Sequence, residues 1–142
     1  MNKRLISLLC AVALIICLPL SVQAAATPRA SDYFGCTSVR AYAMGNGKVL
    51  IEVDITATHM MDEVGASYVH IFHELDDGSY TLVHTYRMAS NPGMIEYNSF
   101  FATVDVTYQG IPGETYYALV GCYARDSEGA ETLYFRTNLV TA

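Results

Sequence analysis

The sequence predicts an all-β protein: a single seven-stranded antiparallel β-sandwich closed by one disulfide. Three observations carry this expectation. Apolar and polar residues alternate with period two in several runs, most clearly at Val49, Ile51, Val53 and Ile55 against Glu52, Asp54 and Thr56. Turn-forming clusters separate those runs at intervals typical of sandwiches. No amphipathic run of helical period and length intervenes, so a layered βαβ arrangement is excluded.

The elements follow in order. Residues 27–35 read as an N-terminal tail and residues 36–142 as the sandwich domain. A first strand over 38–44 stops at Gly45-Asn46-Gly47, residues that tolerate positive φ. A second runs from Lys48 to Thr58, and Met60 to Gly65 reads as a crossover, too short for a stable helix. Strands over 67–74 and 80–86 form a hairpin around Asp76-Asp77-Gly78, a fitting turn-plus-bulge loop. A turn at Asn91-Pro92-Gly93 precedes a strand over 99–108, with Phe100, Ala102, Val104 and Val106 on one face. The last two strands are expected over 115–125 and 131–140.

The N-terminus reads as a secretory signal, residues 1–26. Lys3 and Arg4 precede an apolar run from Leu5 to Leu20, and Ala24, Ala25 and Ala26 supply small residues for cleavage after 24 or 26. The run is short for a bilayer-spanning helix. A secreted, extracellular protein without a membrane anchor is the expectation. Eight basic residues less Lys3 and Arg4 leave six against fourteen acidic, a net charge of about −8. That balance argues against a nucleic-acid partner, which needs clustered cations.

Signal removal also takes Cys10 and Cys17, leaving Cys36 and Cys122. In an exported chain two cysteines most simply pair. Such a bridge would close a loop of about 85 residues, with a ceiling near ~4–5 kcal/mol in the chain-entropy view. The alternative is two buried thiols.

The stretch Ile111-Pro112-Gly113-Glu114-Thr115-Tyr116 resembles the loop and sixth-strand start of fibronectin type III and immunoglobulin-like sandwiches. The resemblance implies that the Tyr116 hydroxyl reaches back to loop backbone. The tryptophan such domains carry on the third strand is missing, since the chain has no Trp. Residues 61–66 (MDEVGA), 71–74 (IFHE) and 113–118 (GETYYA) resemble a group of small secreted proteins of Gram-positive Firmicutes with no assigned activity. That resemblance implies secretion and a β-fold and brings no catalytic residue.

The candidate chemistry is sparse. Counting outward from the Asp76–Gly78 loop sets His70 opposite His84, a weak candidate for a metal or a pH-sensitive pair that still needs a third ligand. No catalytic residue, cofactor or metal is expected. Eleven tyrosines form the one compositional excess. With Tyr116, Val120 and Cys122 inward, Tyr117 and Tyr123 point outward, and Tyr134 on the next strand can join them in a binding face. The expected function is therefore a non-catalytic binding module for an extracellular protein, with glycan a poorer fit because tryptophan is absent. The alternatives are a structural, self-associating module and a hydrolytic enzyme with a dispersed site.

Overall fold

A computed structural model describes residues 31–142; the signal sequence and its cleavage site lie outside the described residues. Seven strands form one continuous antiparallel sheet: β1 (Phe34–Gly45), β2 (Lys48–Glu74), β3 (Tyr80–Arg87), β4 (Ile95–Gln109), β5 (Thr115–Arg125), β6 (Ala130–Arg136) and β7 (Val140–Thr141). A single 3₁₀ turn, Pro92–Met94, precedes β4.

β2 organises everything. Its first half pairs with β1 on one side (Val39↔Val53, Ala41↔Ile51) and with β4 on the other (Val53↔Val104, Ile51↔Val106). Its second half pairs with β5 (Val69↔Val120, Ile71↔Ala118) and β3 (Val69↔Tyr86). β6 pairs only with β5, and β7 with the start of β5. The sheet is thus a half-barrel folded at β2 into two sandwich-like layers. The first layer is β1, the first half of β2, and β4. The second is β3, the second half of β2, β5, β6 and β7.

Both layers turn small and β-branched residues inward. Val49, Ile51, Val53 and Ile55 are at most 1% exposed, and Val64, Ala66, Val69, Ile71, Ala118, Val120 and Ala124 are fully buried. The inward set is odd-numbered to Ala57, even at Val64 and Ala66, and odd again at Val69, with Met61 buried just past the first shift. Two irregularities cause this. Residues 57–60 of β2 bulge opposite Phe100 of β4, and a second register shift lies between Ala66 and Tyr68. Gly65 sits between them, where a Cβ would stand 2.1 Å from the Met94 carbonyl oxygen. Only glycine permits that approach.

Several expectations are corrected here. The segment 60–65 is strand rather than crossover, so the second and third expected strands are one 27-residue strand. The last expected strand is two, broken at Thr137–Leu139. Phe100 was expected inward and is 50% exposed, because it lies opposite the bulge and β4 has no regular partner there. The turn at Gly45–Gly47 has positive φ at all three residues, as read.

The disulfide is absent. Cys36 pairs with Thr56 on the outer side of the first layer and is exposed, whereas Cys122 faces the core between Ala66 and Leu133 and is fully buried. Strand parity decides this: Cys36 lies out of phase with the inward Thr37, Val39 and Ala41. A side chain on the outside of the first layer and one in the core cannot meet the geometry of a bridge. Burial pushes the Cys122 thiol up to about 12, which leaves it an inert apolar side chain.

Candidate binding face

The outer face of the second layer is built by strand alternation. With Val69 and Ile71 inward, Tyr68, His70 and Phe72 point out from β2. Residues directly opposite share a face, so β3 adds Leu82, Thr85 and Arg87. β5 adds Tyr117 and Leu119, and β6 adds Tyr134 and Arg136, which pair with Gly121 and Leu119.

Two aromatic stacks result. In one, Phe72 lies parallel to Tyr117 at 4.9 Å, with Tyr80 edge-on to Tyr117 at 4.9 Å. The Arg136 guanidinium sits 3.9 Å above the Tyr117 ring and 5.4 Å from that of Tyr80. In the other, Tyr134 stacks on Tyr68 at 5.8 Å and Tyr68 lies 4.3 Å from His70. The Phe72–Tyr117, Tyr80–Tyr117 and Tyr68–Tyr134 distances fall in the range of favourable ring contacts, each worth about 0.5–1.5 kcal/mol beyond burial. Gly121 makes the second stack possible, since a Cβ there would meet the Tyr68 ring at 2.9 Å.

The electrostatics fit a partly desolvated surface. Burial pushes the Tyr68 phenol up to about 12, helped by the neighbouring Tyr134 hydroxyl. Burial, then the charge of Arg87, lowers His70 below the usual histidine value. The His70 Nδ1 is 2.8 Å from the Thr85 hydroxyl. Burial, then the Glu63 carboxylate, raises the Tyr123 phenol.

Of the expected trio, Tyr117 is half-buried in the first stack and Tyr134 is 61% exposed in the second. Tyr123 is half-buried and belongs to neither stack. Sequence reasoning did not join Tyr68, Phe72 and Tyr80 to this face. Their outward parity was readable; that β5 would lie against this half of β2 was not.

His70 and His84 do not meet. Leu75 N–H does donate to the Ser79 carbonyl at 2.8 Å, as the loop reading requires. A bulge at Val83 then shifts the register, so His70 faces Thr85 and His84 faces Ile71. His84 instead lies edge-on to Tyr86 at 4.5 Å. Among the described residues no cluster of three or more His, Cys, Asp or Glu could hold a metal ion.

Two other features carry side chains of catalytic type, and a third is a structural tyrosine contact. His73 Nε2 pairs with Glu114 at 2.9 Å, beside a cleft of about 430 Å³ that Glu74, Asp76 and Asp77 help to line. His59 Nε2 pairs with Asp126 at 2.8 Å, and its Nδ1 lies 3.0 Å from the Thr58 hydroxyl. That hydroxyl donates at 2.6 Å to the Asp32 carbonyl, so it is held by backbone rather than activated by the imidazole. The Ile111 N–H donates at 3.0 Å to the hydroxyl of the buried Tyr116, the backbone contact the sandwich resemblance implies.

The chain is thus a small all-β, sandwich-like domain, with no metal-holding cluster among its described residues. No helix among them is long and apolar enough to cross a membrane. A scan against protein-family models finds no match, and a search of curated proteins finds none.

Proposed function

We propose that this chain is a secreted, non-catalytic interaction module that engages a partner protein through the outer face of its second layer. The observation that carries the reading is the pair of aromatic stacks, one of them topped by Arg136. Interaction surfaces concentrate their energy in tyrosine and arginine anchors, and here both are pre-ordered by ring contacts before any partner arrives. The absence of tryptophan favours protein over glycan. A photo-crosslinking residue at Tyr134, compared with one at Thr103 on the outer face of the first layer, tests it. Crosslinks to another protein in the native extracellular medium should form from position 134 and not from 103. Equal crosslinking from both positions, or none from 134, sinks the reading.

A second reading, self-association, is favoured by β4. Its edge away from β2 is unpaired by any described strand, and Tyr97, Phe100 and Phe101 along it are 50–63% exposed. Long apolar edges invite pairing with another chain. Sedimentation over a range of protein concentrations tests it: a monomer throughout excludes it.

A further inference from the structure

The core is finished along one side of the molecule and unfinished along the other. Inward residues of β2 and β5 are fully buried, yet Thr37, Val39, Leu133 and Phe135, which also face inward on β1 and β6, are only half-buried. β1 and β6 end the β1–β2–β5–β6 order, and no described strand pairs with the outer edge of either. Between them lies a cleft of about 190 Å³ lined by Phe34, Thr37, Leu133 and Phe135 among others. Cavities of about 150 Å³ admit a benzene ring, so this one has room for an apolar side chain. Thr37 also holds a buried hydroxyl oxygen with no hydrogen bond in the structure.

The chain itself closes this seam at both ends with polar side chains. At one end the Asn138 carboxamide accepts from the Ala41 N–H and donates to the Ala41 carbonyl, both at 3.0 Å, as a neighbouring strand's peptide would. At the other, the Ser31 hydroxyl donates to Glu131. Between these closures the β6 edge is free. The Thr137 N–H bonds to the Ala118 carbonyl, which fixes the phase: odd-numbered β6 residues bond to β5. Thr132, Tyr134 and Arg136 therefore present their N–H and C=O groups outward along the edge.

Charge selects the occupant. Among the described residues fourteen acids face five cations: Arg40, Lys48, Arg87, Arg125 and Arg136. Arg125 pairs with Glu63 at 2.9 Å. Arg40, Lys48, Arg87 and Arg136 form no ion pair with any described residue, despite that acidic excess, and of these only Arg136 lies on β6. The Arg136 guanidinium carbon lies 3.9 Å from the centre of the Tyr117 ring, and its N–H groups donate to no described residue, which leaves them for a carboxylate.

We propose that the free edge of β6 accepts an extended segment of a partner protein, pairing backbone to backbone. Its alternate side chains place acidic groups beside Arg136 on the outer face and apolar groups in the cleft toward β1. This rests on the interaction-module reading and names its mode, strand addition. An acidic glycan could meet Arg136 but not the edge amides.

The probe is a blocked seven-residue peptide alternating valine and glutamate, titrated into the intact domain and followed by amide NMR shifts. Perturbations should map to Thr132, Tyr134 and Arg136 and to residues lining the cleft. The Arg136→Glu variant should weaken binding by about tenfold or more, as expected for loss of a charge-assisted contact. The deciding comparison is Tyr134→Pro with Tyr134→Ala. Both lose the ring, but only proline removes the outward N–H, and the β5 ladder survives because that N–H does not serve it. Weaker binding by Tyr134→Pro than by Tyr134→Ala supports strand addition. Equal binding overturns it while leaving the interaction face standing. No edge shifts with the peptide at millimolar concentration overturns it too, as does a uronic-acid oligosaccharide that matches the peptide's affinity. The Tyr134 crosslinking test judges the broader reading independently.

Discussion

The two layers are halves of one sheet, and one strand supplies the centre of both, yet their outer faces differ sharply. The first half of β2 turns Glu52, Asp54 and Thr56 to solvent; the second turns Tyr68, His70 and Phe72. On the first layer Glu52 lies opposite Asp105, a like-charged pair that weakens the sheet slightly, while the Thr103 hydroxyl donates to Asp54 at 2.9 Å. On the second, rings stack on rings and a guanidinium covers one of them. The inner faces are alike, so the core does not dictate this difference. Apart from the exposed Tyr97, Phe100 and Phe101 of β4, the first layer's exterior is a solvating surface; the second layer's covers itself in aromatic area that solubility does not require.

The largest expected effect tests whether the layers share one core. Ile51 and Ile71 are both fully buried, one in each half of β2. Ile51→Ala and Ile71→Ala should each lower unfolding stability by about 2–5 kcal/mol, in a single cooperative denaturant transition. Two transitions, or a large effect from only one variant, would divide the halves that β2 unites.

Next comes Gly121→Ala, which probes the aromatic face alone. Its Cβ would press on the Tyr68 ring and the Ser67 hydroxyl at 2.8–2.9 Å. Overpacking of this kind destabilises by about 1–3 kcal/mol. The change should also separate Tyr68 from Tyr134, visible as altered near-ultraviolet circular dichroism of tyrosine. An unchanged spectrum would mean that the stack does not depend on the glycine. Tyr116→Phe should have a smaller effect, about 0.5–1.5 kcal/mol by denaturant titration, because it removes the hydrogen bond from the Ile111 N–H.

These residues show what was legible in the sequence. The first half of β2 was, because its alternation is unbroken and one face is buried throughout. Residues 60–65 were not: two bulges reset the parity, and a strand whose phase shifts twice loses its period. The tyrosine contact at Tyr116 was legible because it depends on a local loop. The aromatic face was half legible, since alternation gives which side chains point out but not which strands become neighbours. The cysteine pair misled for the same reason. Two cysteines in an exported chain suggested a bridge, whereas the phase of Cys36 within β1 forbids it.

A smaller effect sharpens that last point. Cys36→Ser should change stability by less than about 0.5 kcal/mol, the scale of an exposed substitution. In the native protein one thiol, Cys36, should react with a soluble alkylating reagent, and Cys122 only after unfolding; mass analysis of the alkylated chain checks both. A reducing agent should not shift the denaturation midpoint.

The smallest expected effect is pH dependence on the aromatic face. Burial and Arg87 lower the His70 pKa below its ordinary 6.5. The unfolded chain therefore takes up a proton near pH 6.5 that the folded chain still refuses. Stability from this group is complete above about 6.5 and is lost as pH falls from there through the lowered folded value. Asp126 behaves in the same direction at lower pH. Its carboxyl is held below the usual 3.8 chiefly by the hydrogen bond from His59, so its contribution fades only as pH falls through that range. His70→Gln should flatten the decline just below pH 6.5 and leave the acid limb unchanged. If the wild-type slope persists in that variant, the ring on the aromatic face is not the group that titrates, and the packing assigned to Tyr68, His70 and Thr85 is wrong.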